Sequence, residues 1–175
     1  MKKKKDLIIG IAIFLLGFCF SSYITPLYFP DLLMLGAKKK IGNEENLFKH
    51  GELPEAGSNF VVKPNPDFLY STCFYDLSDG PIKMVGDLPD SSYWSIGIYE
   101  MNTVNYFVKN DQQFNSSHLE LNLHLANQSV ADKGENIIAP SKKGLILFRI
   151  LVTDRDPQKI KRITEMQQSI HLEKI

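Results

Sequence analysis

Apolar positions along this chain fall into three regimes, and each predicts a different kind of element. The first is a nearly unbroken run, LIIGIAIFLLGFCFSSYI from Leu7 to Ile24, behind the cations Lys2 to Lys5. At about 1.5 Å per residue these positions make a helix of roughly 27 Å, close to one bilayer core. The second regime is alternation. Phe68, Tyr70, Thr72 and Phe74 share one face and Leu69, Ser71, Cys73 and Tyr75 the other; Trp94, Ile96 and Ile98 oppose Tyr93, Ser95, Gly97 and Tyr99; Leu119, Leu121, Leu123 and Leu125 oppose Glu120, Asn122 and His124. A period of two reads as strand. The third is helical spacing, with Ile160, Ile163, Met166 and Ile170 behind an Asp156 N-cap and Pro157 at the first helical position.

Between the alternating runs stand Gly, Pro, Asn and Asp turns: Ser78 to Pro81, Gly86 to Ser92 with Pro89 inside, and the polar stretch from Asn110 to His118. Further strands are expected at Phe60–Lys63, ending at Pro64 and Pro66, and at Ile82–Val85, Tyr106–Lys109, Glu135–Pro140 and Gly144–Val152. Gly97, inside a strand, marks a bulge or a close backbone approach. Seven or eight short strands at this spacing, with no helices between them, predict an all-β fold: an antiparallel sandwich or jelly-roll-like domain with an amphipathic helix at the C-terminus and a transmembrane helix at the N-terminus. The expected division is 1–24 for a basic tip and anchor, 25–58 for a loop-rich connector with a short helical turn near Glu44 to Phe48, and 59–175 for the β domain.

The apolar run reads as an uncleaved anchor. The competing reading, a cleaved signal peptide, needs an apolar core of about 7–15 residues and a small-x-small site, and Phe18, Cys19 and Phe20 supply none. Four lysines before the span favour a cytoplasmic N-terminus and place the β domain across the inner membrane, on the periplasmic side. Lys38 to Lys40 oppose that orientation. The segment Pro26 to Ala37 is too short to span and reads as interfacial or packed on the domain, with Tyr23 and Tyr28 at headgroup level.

Charge narrows the partners. The chain is neutral as a whole, but residues 25–175 carry 16 Lys and Arg against 19 Asp and Glu, a net of −3. No basic face for nucleic acid is expected. Cys19 lies in the apolar run and Cys73 in a strand, so no disulfide closes within the β domain.

Candidate chemistry is sparse. No nucleophile with its base, no metal-ligand set and no phosphate loop stands out, so no catalytic residue, metal or cofactor is assigned. His118 and His124, six residues apart on one strand, lie about 20 Å from each other, too far to share a metal. Cys73 reads as a small buried hydrophobe. Arg149 interrupts LILFRILV on the face of Leu145, Leu147 and Leu151. A buried cation needs a partner, and Asp67 or Asp76 is the expected one, giving a polar cluster of Asp67, Tyr70, Asp76 and Arg149, either structural or ligand-binding. Phe68, Phe74, Tyr93, Trp94 and Tyr99 are expected to form sandwich core or to line an apolar pocket.

The succession Asn65-Pro66-Asp67, Tyr70, Asp76-Leu77, Gly80-Pro81, Leu88-Pro89, Tyr93-Trp94-Ser95 and Ile98-Tyr99, followed by Gly144-Leu145 and Arg149-Ile150-Leu151, resembles the bacterial family called domain of unknown function 1254. It is most similar to the short, membrane-anchored branch and covers Asn59 to the C-terminus. Where longer members carry an Arg-Tyr pair, this chain has Ser92-Tyr93. The resemblance implies a β-sandwich-like domain, often found beside a companion family, domain of unknown function 1214, and implies no established reaction. The expected function is a membrane-tethered periplasmic binding or assembly module working with a partner protein. The alternative is an enzyme or enzyme subunit acting on a small apolar or carboxylate-bearing molecule in an aromatic-lined cleft.

Overall fold

In the computed structural model, which describes residues 2–54, 64–130 and 133–175, the alternating runs become strands and fold into two facing sheets. The expected strand at Phe60–Lys63 lies outside the described residues. The elements are α1 (Lys2–Ile41), β1 (Lys49–His50), β2 (Phe68–Asp76), β3 (Ile82–Asp87), β4 (Trp94–Glu100), β5 (Asn105–Asn110), β6 (His118–Leu125), β7 (Glu135–Ala139), β8 (Lys143–Leu151), α2 (Pro157–Ser169) and β9 (His171–Lys174). One sheet runs β1-β2-β8-β4-β5 and the other β7-β6-β3-β9. The domain is therefore a mainly β sandwich, with the long helix α1 ahead of its strands and the helix α2 between β8 and β9.

Inward alternation builds the core. Ile146, Phe148 and Ile150 of β8 and Trp94, Ile96 and Ile98 of β4 face Ile82 and Met84 of β3 and Leu119, Leu121 and Leu123 of β6, and all are buried. The two outward surfaces differ. On the four-stranded sheet they carry Lys83, Glu120, Asn122 and His124, with Lys83 paired to Glu120 at 3.2 Å. On the five-stranded sheet they carry Leu145, Leu147, Arg149 and Leu151 between the Phe68–Phe74 row of β2 and the Tyr93–Tyr99 row of β4. Leu145, Leu147 and Leu151 remain only half-buried.

Four features depart from the sequence expectation, each for a local reason. The first helix continues past Ile24 to Ile41 through Pro26 and Pro30. The prolines are four residues apart, so the carbonyls they free, on Ser22 and Pro26, lie on one side of the helix, and such prolines are tolerated in membrane-type helices. The connector is extended: Asn46 N–H donates to the Phe74 carbonyl and Gly51 N–H to the Tyr70 carbonyl, both at 2.8 Å, so residues 45–51 line the edge of β2 and bring Phe48 into the core. The sheets are not wholly antiparallel, because the chain after β6 runs back before starting β7, which pairs with β6 in parallel. The last helix stops at Ser169. Ile170, which continues the helical spacing, instead adopts extended backbone, and its side chain packs in the core against Gly86; β9 then pairs with β3. Only glycine fits at Gly86, where φ is +155° and a Cβ would meet the Ile170 Cα at 2.8 Å.

Two predicted details hold. Asp156 caps α2 by accepting from the Gln158 and Lys159 amides, with Pro157 next to it. At Gly97 the Tyr99 ring lies over the backbone, with the register shift one residue on, between Ile98 and Tyr99.

The last turns of α1 belong to the domain. Met34 is buried, and Pro30, Asp31, Ala37, Lys38 and Ile41 on the same side are half-buried. Lys38 Nζ sits 6.0 Å from the Phe74 ring centroid, which places this side of the helix on the outer surface of the five-stranded sheet. Lys38 also pairs with Glu45, and Lys143 Nζ bridges Glu45 Oε1 at 2.9 Å and Asp76 Oδ2 at 2.8 Å. Toward the N-terminus the apolar side chains from Leu7 through Phe29 are almost all exposed, and this helix is long and apolar enough to cross a membrane.

Candidate functional site

The register across β8 decides which sequence-predicted residues meet. Tyr70 and Ser95 flank Arg149 on the neighbouring strands, while Asp76 stands opposite Lys143 at the far end of β2, about 20 Å along the strand from Tyr70. Tyr70 and Arg149 are thus brought together, and Asp76 is not part of their group. Asp67 lies near, since its carbonyl accepts from Val152 N–H, but its carboxylate takes Arg155 at 2.9 Å.

The expected Asp partner of Arg149 is therefore absent, because other cations take both acids: Lys143, opposite Asp76 in register, holds Asp76, and Arg155, beyond the end of β8, holds Asp67. Arg149 Nε donates to Ser95 Oγ at 3.0 Å, and the guanidinium lies 5.8 Å from the Phe68 centroid. Phe68 meets the Tyr93 ring edge-on and the Tyr70 ring at a tilt, both at 6.2 Å. Tyr70 is fixed in turn, its hydroxyl accepting from Asn65 N–H at 3.0 Å and its carbonyl accepting from the buried Gln167 side chain of α2. The result is a half-buried guanidinium on an aromatic platform whose terminal nitrogens, among the described residues, face no carboxylate. Such a group binds planar anions bidentately.

The other expected aromatics are dispersed. Trp94 turns inward against Phe114 (5.8 Å, edge-on) and Phe148 (6.2 Å) and is 3% exposed; Phe74 lies under Lys38; Tyr99 covers Gly97. They do not line one pocket. Sequence reasoning missed Ser95 and Arg155, whose roles depend on strand pairing and loop placement that no local signal carries.

Remaining ionisable groups look structural. Cys73 is 1% exposed and burial pushes its thiol up to about 12, so it is not a poised nucleophile. Tyr75 and Tyr106 share a hydroxyl hydrogen bond of 2.9 Å, and burial raises both above the ordinary phenol range. His118 pairs with Asp87 at 3.0 Å on the surface, and among the described residues no three His, Cys, Asp or Glu side chains gather as a metal set.

Burial works against ionisation of Asp76, but the Lys143 ammonium and hydrogen bonds from Ser78 outweigh it and hold the carboxyl well below the usual range. A depressed folded-state value adds stability that is present above the unfolded value of about 3.9 and is lost as pH falls through it toward the folded value. Thermal melting between pH 6 and pH 3 should therefore fall toward acid, and Asp76→Asn should flatten that fall. Identical acid slopes in the two proteins would remove Asp76 from the linkage.

Comparison with known proteins follows the same lines. The family described as "Protein of unknown function (DUF1254)" matches residues 45–174, starting ahead of the Asn59 boundary drawn from the sequence. The fold is shared with the crystal structure of the VPA0106 protein from Vibrio parahaemolyticus, at TM-score 0.67 and 13% identity, over 89% of this chain but 37% of that one. A crystal structure of an uncharacterised protein from Burkholderia cenocepacia aligns at TM-score 0.51 and 14% identity, over 76% of this chain and 35% of that one. This chain thus spans little more than a third of either. No match to a curated protein was found.

Proposed function

This chain belongs to the DUF1254 family of proteins of unknown function, and we propose that it is a membrane-tethered binding module whose five-stranded sheet, around Arg149, docks a partner polypeptide. The observation that carries this reading is Arg149: a cation set among Leu145, Leu147 and Leu151, resting on Phe68, with its natural acids taken by Lys143 and Arg155. Folding alone gives no reason to place an uncompensated charge there, whereas a partner carboxylate arriving on an aromatic and leucine surface gives one. The polar outer surface of the other sheet offers no comparable patch.

The partner is a polypeptide of the companion family, domain of unknown function 1214, which the family resemblance sets beside this domain. Orientation follows the lysines ahead of the span, with the β domain on the periplasmic side of the inner membrane. The ion pairs joining Lys38, Glu45, Lys143 and Asp76 fix the end of the anchor to the domain, so the docking face is presented at a set height above the bilayer.

A photo-crosslinking residue at Val108, exposed on the outer side of β5, should capture a co-expressed companion-family polypeptide in intact membranes, while the same residue at Ile138, exposed on β7, should not. Equal capture at both positions, or none at Val108, would sink the proposal.

A further inference from the structure

A cleft of about 430 Å³ lies between the 89–92 turn and the first turns of α2, within the size range of small-molecule sites. Its apolar lining is Pro89, Ile163 and Met166, and Ser91, Ser92 and Thr153 bring hydroxyls to it. Two cations border it. Lys159 is neutralised by Asp154 at 2.6 Å, but Arg162 has no ion pair or hydrogen bond among the described residues. The N-terminus of α2 takes no part, since Asp156 already caps it. On the other side of the same turn a second cleft is bordered by Asp90 and Asp111 and by no cation.

We propose that the cleft beside α2 binds a small monoanionic carboxylate with a short apolar body. The guanidinium of Arg162 takes the carboxylate as a fork, the three hydroxyls donate to its remaining lone pairs, and the body lies on Ile163 and Met166. The charges set the class: Asp154 pairs with Lys159, which leaves Arg162 to hold one carboxylate and Asp90 to repel any second anionic group, so a monoanion is favoured over a dianion. The sequence hides this site because Ser91, Ser92 and Arg162 look like ordinary turn and helix-surface residues, and only the packing of α2 beside the turn joins them. The inference does not rest on the docking reading, which uses the other side chains around Arg149.

Butyrate is the probe, titrated into the full chain in lipid nanodiscs while the backbone amides of Ser91, Ser92 and Met166 are followed by NMR. Saturable shifts are expected with butyrate, none with neutral butyramide, and weaker ones with butyl phosphate. Arg162→Gln should weaken butyrate at least about tenfold, Ser91→Trp should fill the cleft and abolish binding, and Arg149→Gln should change nothing. Arg162 and Ser91 are exposed, and circular dichroism checks that both variants fold. Absence of saturation, butyramide binding as well as butyrate, tighter binding of butyl phosphate, or an unchanged Arg162→Gln affinity would each overturn the proposal.

Discussion

Replacing Trp94 with alanine is expected to cost the domain about 3–5 kcal/mol, the range for a large aromatic removed from a packed core. Trp94 is 3% exposed and is gripped from two sides, by Phe114 edge-on and by Phe148 across β8, so neither neighbour can collapse into the space without losing its own contact. Urea unfolding in detergent, followed by circular dichroism, should show a lower midpoint with an unchanged slope. An unchanged midpoint would mean that Trp94 does not anchor the core.

Gly144→Ala is expected to be nearly as damaging, at about 3 kcal/mol, the upper end for overpacking. Gly144 pairs with Tyr75 on one side and Glu100 on the other, and a Cβ there would stand 2.1 Å from the Tyr99 carbonyl oxygen and 2.5 Å from the Tyr75 hydroxyl. Backbone is in the way, so β8 must separate from β4, and the Tyr75 to Tyr106 hydrogen bond must break or move. The same unfolding experiment tests it, together with the near-ultraviolet tyrosine signal. Stability within about 0.5 kcal/mol of the parent, the ordinary range for a surface substitution, would show that the strands are not held this closely.

Much of this architecture is written in local pattern. The alternation at Phe68–Asp76, Trp94–Glu100 and Leu119–Leu125 reports strands directly because one or both faces are buried, and Asp156-Pro157 reports a helix start because both residues act within one turn. What the pattern does not carry is pairing. The partner of Arg149 depends on how far β2 and β4 slide along β8; Asp67 and Asp76 are close in sequence terms, yet register sets Asp76 against Lys143, while Asp67, just ahead of β2, meets Arg155 beyond the end of β8. Likewise Ile170 satisfies a helical period and a strand equally well, and its burial against Gly86 settles which one it adopts. The extended edge at residues 45–51 was hidden for the same reason, since its hydrogen bonds go to β2 and not to its own neighbours in sequence.

The docking surface is tested most directly by the affinity of the purified chain for a purified companion-family polypeptide. Arg149→Met should cost no more than about 1 kcal/mol of stability, since it gives up the Ser95 hydrogen bond but no ion pair, and should weaken binding by about 30-fold or more, equivalent to the roughly 2 kcal/mol of an interface hot spot. Arg155→Met, whose charge is already taken by Asp67, should bind within about threefold of the parent, as rim charges do. If Arg149→Met binds as well as the parent, or if both arginines matter equally, the sheet face around Arg149 is not where the partner docks.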